Sequence, residues 1–172
     1  MDPFKAFAEA CIPFFSSVAQ VDGGLLGLVF VALTFNTKAL GIAGDRGLRD
    51  LARQTFSDFL MVLLMALIML VPNTSPRQIG VILILLAAIG SVRIVLSLAA
   101  LRRNSTLSSG RLVLQRFGLS LLGHVGIFVA GYLLWTASEN FSATGSLLVT
   151  SPLALLVSGS RSAWLLVVHQ AD

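Results

Sequence analysis

The chain has 172 residues, of which 56% are hydrophobic and only 12% charged, and its mean hydropathy is +0.89. A soluble domain carries roughly 25% charged residues, so about half of the polar coat that would face water is missing, and a lipid bilayer is the expected surrounding. The net charge of +4 does not signal nucleic acid, which is excluded as a partner, because the basic residues sit mostly in short loops between apolar runs.

The length suits one helical bundle with no separate soluble domain. Cys11 is the only cysteine, so neither an internal disulfide nor a cysteine metal cluster is expected, and no cofactor is implied. At the N-terminus Asp2 and Glu9 flank Lys5, so a basic leader region is missing and the first apolar run is expected to stay in the mature protein.

A helix needs ~20 mostly apolar residues to cross the hydrocarbon core, and five segments qualify. The first span is expected over about 13–36, where Gln20, Asp22, Gly23 and Gly24 interrupt it. The second covers about 54–71 and stops at Pro72. The third covers about 78–101 and carries Arg93. The fourth covers about 112–135, with Arg116 and His124, and the fifth about 146–168, with Pro152 and Arg161. The fold class is therefore an all-α integral membrane bundle of about five transmembrane helices.

Two linkers are informative. Pro72, Asn73, Thr74, Ser75 and Pro76 form a tight polar turn, since two prolines and an asparagine cannot continue a helix. In 41–53, by contrast, Leu48, Leu51, Ala52 and Phe56 share one helical face while Arg46, Arg49, Asp50 and Arg53 cover the other. That pattern predicts a short cytoplasmic amphipathic helix on the membrane surface, leading into the second span.

Loop cations set the orientation. Lys38, Arg46, Arg49, Arg53, Arg102, Arg103 and Arg111 lie on one side, against Lys5 and Arg77 on the other. The positive-inside rule then puts the N-terminus outside and the C-terminus in the cytoplasm. Tyr132, Trp135 and Trp164 fall near span ends, where aromatic belts form.

At a rise of 1.5 Å per residue, Asp58, Arg93, Arg116 and Arg161 share one slab near the cytoplasmic face. An unpaired charge in hydrocarbon costs at least ~2.5–3.5 kcal/mol, so Asp58 is expected to pair with Arg93 or Arg161 inside the bundle. Gly90, Arg93 and Ser97 line one face of the third span, and Ser151, Leu155, Ser158 and Ser162 form a polar stripe on the fifth. Two readings of this charge network stand: it fixes helix register, with arginines snorkelling to headgroups, or it lines an ion, proton or ligand pathway.

Asp22 and His124 fall near mid-membrane and form a possible proton relay, because histidine titrates near neutral pH. Alternatively the helix breaks at Gly23 and Gly24, leaving Asp22 at the outer interface, and His124 is a core residue donating to a backbone carbonyl. Gly126 and Ala130 allow close helix packing. Phosphate loops, zinc-hydrolase motifs and nucleotide fingerprints are absent, and Ser160 with His124 lacks a nucleophile elbow, so no enzymatic activity is expected.

Two stretches carry a family resemblance. Phe14 to Ala19, continuing through Gly23, Gly24, Leu25, Leu26, Gly27 and on to Asn36, resembles the opening helix of a family of small five-span bacterial membrane proteins, and Ser162 to Val168 resembles their closing helix. In that family an asparagine precedes the Ala-Trp pair and an acid follows the apolar run, where this chain has Ser162 and His169. Some members are labelled modulators of the FtsH protease. The resemblance implies a bacterial inner-membrane protein and supplies no catalytic or binding residue. Two functional classes follow: a non-catalytic partner, scaffold or regulator of a larger membrane assembly, or a small oligomeric ion or proton channel or transporter.

Overall fold

A computed structural model describes residues 3–35, 46–104, 110–136 and 141–168. They form five helices: α1 (Pro3–Phe35), α2 (Arg46–Met69), α3 (Pro76–Asn104), α4 (Gly110–Trp135) and α5 (Phe141–Val168). Each is long and apolar enough to cross a membrane, and no strand occurs among the described residues. The protein is an all-α, multi-pass bundle.

A helix accounts for each expected span, and every helix starts earlier than expected, while α2 ends two residues short and α4 and α5 end where expected. The largest shift is in α1, which begins ten residues before Pro13 and carries that proline inside the helix. Pro13 lacks the amide that would bond back one turn, a defect tolerated where side chains supply local bonds. The carbonyl left without its amide partner is that of Glu9. One turn beyond Pro13 the Ser17 hydroxyl adds a bond of its own, donating to the Pro13 carbonyl at 2.9 Å. The added turns are anchored by aromatic contacts at the bundle end, where Phe7 lies 5.5 Å and Phe4 6.4 Å, centroid to centroid, from Phe141 of α5.

α2 differs from its expected form as well. Arg46, Arg49 and Arg53 occupy its first turns, so this part of the basic segment is continuous with the spanning helix, while 41–45 lie outside the described residues. Ala52 is buried and Arg53 exposed, in keeping with the amphipathic pattern.

The α2–α3 turn is built as its residues dictate. Asn73 takes the left-handed conformation at φ 58°, which asparagine tolerates well. Ser75 then caps α3 in a reciprocal box: its amide donates to Gln78 Oε1 at 3.1 Å and its hydroxyl accepts from the Gln78 amide at 3.3 Å. Pro76 opens the helix, where a missing amide costs nothing.

α3 packs on α4, α4 on α5, and α5 on α2, with a lighter α2–α3 contact closing the ring. α1 lies outside this ring against α2, touching α5 lightly. Close approach is set by glycines. A Cβ on Gly80 would meet the backbone of Gly131 and Trp135, and one on Gly126 would meet Ser151. The interior is Phe59, Val62, Met65, Leu83, Ile127, Leu148 and Leu155, while Leu28, Phe30, Leu85, Leu96, Leu122 and Val157 point outward, as lipid requires.

Candidate functional site

The described polar groups of the interior concentrate around Asp58 of α2. Asp58 is 2% exposed, although it lies about two turns into the apolar stretch Ala52–Met69. Its Oδ1 accepts the Ser120 hydroxyl of α4 at 2.8 Å, and its Oδ2 accepts the Ser158 hydroxyl of α5 at 3.0 Å. One residue earlier, Ser57 accepts a 2.9 Å bond from Arg93 Nη1 of α3. The Ser57-Asp58 pair therefore ties α2 to each of the other three helices of the ring.

The sequence alone pointed to Arg93 or Arg161 as the partner of Asp58. Serine hydroxyls occupy its two oxygens instead, and Arg93 is exposed and engaged with Ser57. The reason is energetic. A hydroxyl satisfies a buried carboxyl without a second charge having to be stripped of solvent, whereas a long arginine reaches the interface at less cost. Arg161 is likewise exposed, and the Arg116 side chain lies outside the described set.

The polar stripe on α5 is buried as expected, with Ser151, Ser158 and Ser162 each at most 5% exposed. Gly90 of α3 is buried too, but the Ser97 side chain lies outside the described set.

His124 lies one turn beyond Ser120 on α4 and is 2% exposed. Its Nδ1 is 2.7 Å from the Ser120 carbonyl, an oxygen that can only accept, so Nδ1 carries a proton. Nε2 has no hydrogen-bond partner and fills the space where a Cβ on Gly90 would stand. This is the core histidine bonded to a backbone carbonyl that the sequence left open as an alternative.

Asp22 is fully buried in the α1–α2 interface, and α1 runs unbroken through Gly23 and Gly24. The acid is thus not released to the outer interface. Its carboxyl comes close to the backbone of Leu63, yet neither oxygen makes a hydrogen bond. With both Asp22 oxygens and His124 Nε2 unpartnered, the structure does not join these two residues into a relay.

Serine, histidine and aspartate do meet around Ser120, but not as a hydrolase would need them. In a triad the serine hydroxyl donates to histidine, and the histidine to aspartate. Here the hydroxyl donates to Asp58 and the histidine to the serine backbone, and Ser120 is fully buried. What the arrangement does chemically is cross-link helices in a low-dielectric interior, where a hydrogen bond is stronger than in water. Comparison with protein-family models, curated proteins and solved structures finds no match.

Ser57 and Ser120 were missed in the sequence. The Ser120 spacing of four from His124 was the one available signal, since it puts both on one face of α4.

Proposed function

We propose that this chain is a non-catalytic protein of a bacterial inner membrane, acting as a partner, scaffold or regulator of a larger membrane assembly. Its N-terminus is then outside and its C-terminus cytoplasmic, as the loop cations require. The observation that carries the reading is the interior beyond the Asp58 site. Fully buried Leu155 interrupts the polar stripe of α5 and fully buried Leu148 precedes it, while Val62, Ala66, Leu83 and Ala130 fill the ring around it. A conduit needs a continuous polar lining. In the described interior the hydrogen-bonded Asp58, Ser120 and Ser158 lie near one end, with these apolar side chains between them and buried Thr144 near the other. A protein of this build acts through its surfaces.

One observation favours the second reading, a small oligomeric ion or proton pathway: the carboxyl of Asp22 is buried without a hydrogen bond. Flux into liposomes loaded with the purified full chain separates the two. Protons, K⁺, Na⁺ and Cl⁻ are tested one at a time, with Asp22→Asn as control. No flux from folded, correctly inserted protein, together with co-purification of a larger membrane protein, supports the partner reading. Flux that is lost in Asp22→Asn overturns it.

A further inference from the structure

We infer that a second copy of this chain packs against α1 through the face formed by Gln20, Gly23, Gly24 and Gly27. These residues fall at i, i+3, i+4 and i+7 and lie on one exposed stripe of α1. The stripe contains the small-xxx-small pair Gly23 and Gly27, whose spacing lets two membrane helices approach closely.

The glycines are informative because of how this fold uses glycine elsewhere. At Gly80, Gly90, Gly123, Gly126, Gly131 and Gly159 an added Cβ would strike a neighbouring helix. Each of those positions is where two helices come together. At Gly23, Gly24 and Gly27 an added Cβ would meet nothing within 4 Å. Three helix-weakening residues thus stand on a face that the described residues leave open.

Gln20 says what kind of partner fits. Asp22, two residues on, lies against the backbone of Leu63, well inside the apolar stretch of α2, so Gln20 is at hydrocarbon depth. Its side chain is exposed there and makes no hydrogen bond among the described residues. Lipid tails offer a carboxamide nothing, and leaving it unpaired is costly. A carboxamide carries both donor and acceptor, so it can satisfy an identical group. Two copies inserted the same way round are related by a two-fold axis along the membrane normal, which sets α1 beside α1 and brings Gln20 to Gln20. A carboxylate or an ammonium at that position would repel its own image. The face is uncharged and self-complementary, and the matching occupant is another molecule of the same chain.

Single-molecule photobleaching of singly labelled full chain in liposomes, at increasing dilution, tests this. Two-step bleaching is expected for the unaltered chain. Gly24→Leu with Gly27→Leu should bleach in single steps while keeping its helix content and thermal midpoint, because the new side chains enter open space within the protomer. Gln20→Leu should weaken pairing about tenfold, the weight of one interhelical hydrogen bond. Single-step bleaching of the unaltered chain at every density overturns the proposal. So does undiminished pairing in the glycine double variant or, should that variant misfold, in Gln20→Leu.

Discussion

The Ser120 hydroxyl donates to Asp58 at 2.8 Å while the carbonyl of the same serine accepts from His124 at 2.7 Å. One residue of α4 therefore holds the central acid with its side chain and the buried histidine with its backbone. Removing the acid leaves two serine hydroxyls, both 4% exposed or less, without their acceptor. Asp58→Ala should destabilise the bundle by about 2–4 kcal/mol, from two stranded buried donors at about 1–3 kcal/mol each, partly relieved by bonds to their own helices. Unfolding in mild detergent checks this. Combined with Ser158→Ala, the loss should be clearly less than the sum of the single losses, because the two changes remove one shared bond.

Arg93 gives the opposite expectation. It is exposed, and its bond to Ser57 lies at the rim of the ring. Arg93→Ala should cost no more than about 1 kcal/mol, the range of exposed polar contacts. It should also fail to rescue Asp58→Asn, since Arg93 is not the group bonded to that carboxyl. Restored accumulation of the double variant in membranes would refute the serine-held arrangement.

The architecture was legible because ~20 apolar residues between polar turns have few alternatives to a spanning helix. The α2–α3 turn was legible for the same kind of reason, two prolines and an asparagine leaving no other structure. The start of α1 was not: Pro13 reads as a helix opening, and only Phe141, far along the chain, explains why the helix begins at Pro3. The Asp58 site was half legible. Its depth followed from counting residues, and the stripe containing Ser158 was visible by periodicity. The choice of serine over arginine was not, because Ser120 and Ser158 lie 62 and 100 positions from Asp58 and short hydroxyls are unremarkable in an apolar span.

Gly90 reports on the α3–α4 contact. An added methyl would overlap the His124 ring and press on the Met61 side chain. Gly90→Ala should therefore cost about 1–3 kcal/mol through overpacking, despite alanine being the better helix former. Shrinking the neighbour tests the cause: His124→Ala should lose less stability in the Gly90→Ala background than in the native one. Additive losses in that cycle would mean the two residues do not meet.

Asp22 separates stability from function. Its carboxyl is fully buried and lacks a hydrogen bond, an arrangement that costs about 1–3 kcal/mol by the usual measure of unsatisfied polar groups. Asp22→Leu removes that cost while keeping the branched outline of the side chain, although its methyls are bulkier than the oxygens. It should raise resistance to unfolding by up to the same amount, less whatever the added volume costs, with the α1–α2 contact retained. If the carboxyl serves only packing, the more stable variant should accumulate and associate with its partners as the native chain does. A variant that is more stable yet loses association or flux would show that the acid is kept for what it does, since a purely structural residue does not improve the fold by leaving it. A large loss of stability would instead reveal a partner for the carboxyl, and α1 would be pinned to the ring by a bond rather than by apolar contact alone.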